Sequence, residues 1–318
     1  MVWIFIIVVI LLLLFVAIYY LTYCVLFYPT HDQHWTPQDH YIERFIPTDK
    51  DYNGEVYHKH ENISYYRPCI STWYFDHFPG RPTVLFCHGN AGNIHDREYV
   101  WEMCKTFNLN LMLIDYRGYG KSNGDPTPKG ICQDGLVAYD YLYNRLKDPD
   151  QIVLWGESLG SAVATYIAAH RRCRCLLLLC PFASLEDIVF RHDSLPWFIK
   201  STGIIIKHLV DNMPSKRHIT NVKDPVVIMH SKDDELIPYI NAEILYDNVR
   251  HQFKDLVTIE GGHSTPKFNK EDLCRLFYYV NEYDRSPTST FLQDIQLSPI
   301  LDLIQHASDD FHARHPTD

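Results

Sequence analysis

A serine between two glycines, Gly156-Glu157-Ser158-Leu159-Gly160, carries the strongest chemical signal in the chain. It follows the apolar run Ile152-Val153-Leu154-Trp155 and opens the small-residue stretch Ser161-Ala162-Val163-Ala164, which reads as a strand, a sharp turn and a helix. In that context the string reads as a nucleophile elbow, whose turn is so crowded that only glycine fits at either end. A serine hydroxyl is a poor nucleophile unless a base, itself held by a third group, takes its proton. The competing reading is an ordinary strand-to-helix turn with Ser158 as an N-cap. Residues elsewhere in the chain decide between the two.

The segment His230-Ser231-Lys232-Asp233-Asp234-Glu235-Leu236-Ile237-Pro238 follows an apolar strand and offers an acid. It holds two adjacent aspartates, of which only one can face a base. Gly261-Gly262-His263 follows the last strand, and its glycine loop separates His263 from the other histidines of the 18 present. A third component is His88-Gly89-Asn90-Ala91-Gly92-Asn93, after the strand Thr83–Cys87. Its small residues let backbone N–H groups turn toward a developing oxyanion. The expected donors are the N–H groups of Asn90 and Leu159, with the His88 side chain bracing the loop.

Around these motifs the chain alternates in βαβ fashion, which predicts an α/β fold. Strands are expected at Tyr41–Ile46, Glu55–His60, Thr83–Cys87, Leu109–Asp115, Gln151–Gly156, Cys175–Cys180, Pro225–His230 and Leu256–Glu260. Helices are expected at Tyr99–Phe107, at Ile131–Leu146 with Gly130 ahead of it, and at Leu159–His170. Residues 182–222 break this rhythm with apolar stretches such as Leu195-Pro196-Trp197-Phe198-Ile199. An insertion there would lie above the strand ends, as a small lid.

Val2 to Phe27 contains no charged residue. As a helix it would reach about 39 Å, more than the roughly 30 Å hydrocarbon core. It lacks the basic start and small-residue cleavage site of a signal peptide, so residues 1–28 are expected to form a transmembrane anchor in the lipid bilayer. No Lys or Arg follows until Arg44, which leaves the positive-inside rule little to read. The sequon Asn62-Ile63-Ser64, a possible N-glycosylation site, tips the balance toward a lumenal or extracellular domain. Residues 284–318 are polar and broken by Pro287, Pro299 and Pro316, and are expected to be a poorly ordered tail.

Composition narrows the partners. The formal net charge of −10, from 29 basic and 39 acidic residues, argues against a nucleic-acid partner. Nine cysteines without a C-x-x-C pair support neither a zinc ribbon nor a redox motif. Gly120-Lys121-Ser122 has Asp115 where a P-loop needs glycine, and His58-Lys59-His60 lacks a nearby third ligand. No metal or other cofactor is expected.

HGNAGN, DYRGYGKSNG, GESLG and DDELIP, in that order, resemble the Bem46-type branch of the α/β hydrolases from about residue 20 to about residue 283. The resemblance implies an α/β-hydrolase fold over residues 29–283, with a mostly parallel central sheet flanked by helices. It implies a serine hydrolase in which Ser158 is the nucleophile, Asp234 the acid and His263 the base. The family places the acid four residues before a proline, which Asp234 satisfies and Asp233 misses by one. Asp233 then reads as a solvated loop residue or a cap. The expected activity is cleavage of an ester or thioester through an acyl-enzyme. The anchor and the apolar lid point to a lipid-like or acylated substrate, with no obligate protein partner. The rival is a catalytically silent α/β-hydrolase-fold binding protein at a membrane. Such proteins typically lose a triad member, whereas all three candidates are present here.

Overall fold

The computed structural model describes residues 27–48, 68–191 and 213–281, with the single residues 6 and 302. Within them one sheet of nine strands is built from β1 (Ile42–Pro47), β2 (Cys69–Phe75), β3 (Thr83–Cys87), β4 (Asn110–Ile114), β5 (Ile152–Glu157), β6 (Cys175–Leu179), β7 (Val226–Ser231), β8 (Lys254–Gly261) and β9 (Pro266–Lys267). The order across the sheet is β9-β8-β7-β6-β5-β3-β4-β2-β1. The six strands from β8 to β4 pair in parallel, while β1, β2 and β9 join antiparallel. Continuous apolar runs such as Cys175–Leu179 suit this arrangement, because a parallel strand covered on both faces has no solvent side.

The helices that cover the sheet are α1 (Glu98–Thr106), α2 (Pro128–Leu146), α3 (Leu159–His170), α4 (Leu185–Arg191), α5 (Ser215–His218), α6 (Ile240–Asn248) and α7 (Lys270–Asn281). Alternate strand residues separate into two cores. Leu85, Leu154, Leu176 and Ile228 face Ile131 and Val137 of α2, Val163 and Ile167 of α3, and Leu245 of α6. Val84, Trp155, Leu177 and Val227 face Trp101 of α1 and Leu273 and Leu276 of α7. The result is a three-layer α/β sandwich.

Two expectations change. The edge strand β1 pairs with β2, a strand the apolar pattern does not reveal, because Ser71 and Thr72 interrupt it. Both are buried; the Ser71 N–H donates to Ser122 Oγ at 2.7 Å and Thr72 Oγ1 to Arg44 O at 3.2 Å. Helix α2 starts before Gly130 rather than after it: Thr127 Oγ1 accepts the Gly130 N–H at 3.0 Å, and Pro128 takes the first-turn position where its missing N–H costs nothing. The strand expected at Glu55–His60, the sequon at Asn62 and lid residues 192–212 lie outside the described residues, as do the anchor except Ile6, Phe27 and Tyr28 and the tail except Asp302. Among the described residues no helix is long and apolar enough to cross a membrane.

Candidate active site

The C-terminal ends of the parallel strands share one edge, where open α/β sheets bind ligands. His88 follows β3, Ser158 follows β5, and Asp234 and His263 lie in the loops after β7 and β8. Ser158 has φ 50° and ψ −116°, in a region L-residues avoid at a cost of order 1–3 kcal/mol. Its side chain makes no capping bond to α3. The turn is fixed by close packing: a Cβ on Gly160 would sit 1.9 Å from Cys87 O, and one on Gly156 2.4 Å from Gly160 O. Glycine at both positions lets α3 start directly against the ends of β3 and β5.

The structure brings Ser158, His263 and Asp234 into one hydrogen-bonded chain. Ser158 Oγ lies 2.9 Å from His263 Nε2, and His263 Nδ1 lies 2.8 Å from Asp234 Oδ2. The carboxylate accepts at Nδ1, so the proton belongs there, and Nε2 is left to accept from the serine hydroxyl. Asp234 Oδ1 accepts the N–H groups of Leu236 at 3.0 Å and Ile237 at 2.7 Å. Asp233 is exposed, and its N–H donates to Ser231 Oγ at 3.0 Å. Of the two aspartates, Asp234 faces the imidazole.

His230, absent from the expected site, completes the surroundings of Asp234. It is fully buried, with Nε2 2.8 Å from Ile237 O and 3.2 Å from Asp234 Oδ2, so its Nε2–H is shared between two acceptors. Burial alone would raise the Asp234 pKa, but hydrogen bonds from His230 and His263 outweigh it and hold the carboxyl well below the usual range. For His263, burial lowers the pKa, while the bond to Asp234, its charge, and the carboxylates of Glu157 and Glu235 raise it; the net direction is up. Glu157 is fixed by Tyr99, whose hydroxyl donates to Oε2 at 2.6 Å.

The loop carrying Asn90 runs beside Ser158: a Cβ on Gly89 would lie 3.6 Å from Ser158 Cβ. Leu159 is the first residue of α3, so its N–H has no intrahelical acceptor. The loop is braced from below, where Tyr116 donates to His88 O at 2.9 Å and the buried Arg97 to Ala91 O at 2.7 Å. His88 is buried with Nε2 3.5 Å from Asp115 Oδ1, inside the support of the loop. A strap from Phe27 to Trp35 crosses the other side. The Tyr28 N–H donates to Asn90 Oδ1 at 3.1 Å, and Asn93 Nδ2 donates to Thr30 Oγ1 at 3.1 Å and to Asp32 O at 2.8 Å. Tyr28–Pro29 pairs in parallel with Ala91–Gly92. Nothing in the composition of residues 27–35 marks this role, since the pairing is long-range and only two residues deep.

A sheet of this order, with a strained serine, a histidine and a carboxylate on its C-terminal edge, defines the α/β-hydrolase class. Residues 82–201 match the family model of the alpha/beta hydrolase fold, and the chain belongs to that family. An uncharacterized protein of Mycobacterium tuberculosis is 33% identical over 201 residues, which are 62% of this chain and 69% of the relative. Protein bem46 of Schizosaccharomyces pombe is 31% identical over 200 residues, 61% of this chain and 63% of that protein, in keeping with a Bem46-like branch. The lysophosphatidylserine lipase ABHD12 of Danio rerio is 28% identical over 193 residues, 55% of this chain and 49% of the lipase. Among solved structures, the Pyrococcus furiosus esterase Pf2001 superimposes with a TM-score of 0.62 at 17% identity, over 80% of this chain and 96% of the esterase, a likeness of fold.

Proposed function

We propose that the chain is a membrane-anchored serine hydrolase that cleaves an ester or thioester through an acyl-enzyme. His263 Nε2 takes the Ser158 proton as Oγ attacks the carbonyl carbon. The N–H groups of Asn90 and Leu159 receive the oxyanion, and Asp234 stabilises the imidazolium. The imidazolium returns its proton to the leaving alcohol or thiol, and a water activated by the same base releases the acid. The single observation that supports this most is the unbroken chain Ser158–His263–Asp234, with links of 2.9 and 2.8 Å.

The domain organisation proposed with it is an anchor at 1–28, a hydrolase domain at 29–283 with a lid at 182–222, and a tail at 284–318. A lipid-like or acylated substrate fits it on two grounds. One relative is named as a lysophosphatidylserine lipase. In addition, Tyr28, at the end of the proposed anchor, sits on Asn90, so a membrane at residues 2–27 would lie beside the site. Labelling with a fluorophosphonate probe tests the reading. Wild-type protein should label and hydrolyse esters, and Ser158→Ala should lose both, with kcat falling by about 10⁶-fold. A folded wild type that neither labels nor hydrolyses any ester or thioester across chain lengths would favour a silent binding protein.

A further inference from the structure

Cys180, a group with no part in the proposed reaction, lies against the same histidine and carboxylate. It follows β6 on the same edge of the sheet and is buried to 1% exposure, with φ 46°. Its Sγ, a carboxylate oxygen of Asp234 and a ring nitrogen of His263 all lie within 4.8 Å of one another. Three successive strand-end loops, after β6, β7 and β8, thus deliver one sulfur, one oxygen and one nitrogen to one point. Burial and the Asp234 charge push the thiol pKa well above its ordinary value, so the free thiol is no nucleophile.

We propose that Cys180, Asp234 and His263 form an inhibitory site for a thiophilic divalent cation, with zinc the best fit. The proposal rests on His263 being the base of the hydrolase. Tetrahedral zinc, with bonds of about 2.0–2.3 Å, needs its donors roughly 3.3–3.6 Å apart. The nitrogen–oxygen pair, now at 2.8 Å, has to open slightly and the sulfur, within 4.8 Å of both, to close in by at most about 1.5 Å; water supplies the fourth ligand. A mixed sulfur, nitrogen and oxygen set favours zinc over magnesium or calcium, which prefer oxygen alone. The metal replaces the thiol proton, which leaves to solvent. It also takes Nδ1 of His263, so the ring proton must reside on Nε2. A protonated Nε2 cannot accept from Ser158, and hydrolysis stops.

The test uses the full chain and a soluble ester, with zinc chloride and magnesium chloride titrated separately. Zinc should inhibit reversibly, with EDTA restoring the rate, and magnesium should not. Cys180→Ser and Cys180→Ala, each judged against its own metal-free rate, should need far more zinc. The shift should exceed the roughly 10–100-fold loss that follows removal of an outer-sphere partner. Cobalt chloride gives a readout independent of turnover: one equivalent should produce a thiolate-to-cobalt absorption band in the wild type and none in either variant. Unchanged zinc sensitivity in both variants, or a cobalt band that survives in them or is absent from the wild type, overturns the site. Failure of all ester hydrolysis would count against the hydrolase reading alone, because the cobalt band still decides the metal site.

Discussion

Two residues joined by one hydrogen bond titrate in opposite directions here, and their difference sets the pH response. His263 is depressed by burial but raised further by Asp234, so its pKa lies above the reference of about 6.5. Asp234, raised by burial and lowered more by its two histidine partners, stays ionised far into acid. The base must be neutral to accept a proton, so hydrolysis should fall as pH drops through the raised His263 value, while Asp234 is still charged. The stability terms have different signs. His263 contributes fully below about 6.5 and loses its contribution as pH rises through the folded value; Asp234 contributes above about 3.9 and loses its share only as pH falls through its depressed pKa. A rate profile flat from about pH 5 to 8 would remove His263 as the base. The aspartates give a second, asymmetric expectation. Asp234→Asn leaves the shape but supplies an amide in place of the acceptor that fixes the Nδ1–H tautomer, so kcat should drop by about 10⁴-fold. Asp233→Asn alters an exposed side chain and should stay close to wild type. The reverse ranking in measured kcat would exchange their roles.

Between the strap at residues 27–35 and the loop at 88–93, Asn93 is the central fastener. Its Nδ2 reaches Thr30 and Asp32, its Oδ1 accepts the His95 N–H at 2.8 Å, and its N–H donates to Asp96 Oδ2 at 3.0 Å. Asn93→Ala keeps the last bond and loses the others, which loosens the stretch that holds Asn90 beside Ser158. Oxyanion donors act mainly in the transition state, so kcat should fall by about 10–100-fold with KM little changed; a rise in KM at constant kcat would mean the loop binds substrate instead. This element also marks where sequence reading stops. Ser158, Asp234 and His263 stand out because each sits in a short glycine- or aspartate-bearing loop behind an apolar run. Helix α3 is legible to its end residues, because the elbow fixes its start. The strap, β2, His230 and Cys180 carry no such local mark. Long-range pairing places Cys69–Phe75 with two antiparallel neighbours and Cys180 with loops more than fifty residues downstream, while His230 is fixed across a turn by the Ile237 carbonyl. Buried polar residues inside β2 blur the pattern further, since the bonds of the Ser71 N–H to Ser122 and of the Thr72 hydroxyl to Arg44 are visible only after folding.

At the scale of the whole molecule, the site and the proposed anchor meet at the strap, and this fixes how truncation should behave. Phe27 is buried in the core on the α2–α3 side of the sheet, while Tyr28 is exposed by 55% but uses its N–H on Asn90. Phe27, the last residue of the apolar run, thus packs with the hydrolase core. A chain starting at Phe27 keeps the strap and loses only the segment read as a membrane span. It should hydrolyse a short-chain p-nitrophenyl ester in solution at close to the full-length rate. On a lipid ester carried in phosphatidylcholine vesicles it should be slower than the full-length protein, because the proposed anchor would supply effective concentration and not active-site geometry. A chain starting at Thr36 also loses the bonds to Asn90 and Asn93 and the carbonyl of Thr30 that accepts the Gly120 N–H at 2.9 Å. Each such bond contributes roughly 0.5–1.5 kcal/mol and burial of Phe27 about 1.5–3 kcal/mol, losses that destabilise the domain and release the loop. That variant should stay folded by circular dichroism and lose activity even on the soluble ester. Equal soluble-ester rates for the chains starting at Phe27 and Thr36 would show that the strap does not hold the oxyanion loop. Equal vesicle rates for the full-length and Phe27 chains would remove the anchor from substrate capture.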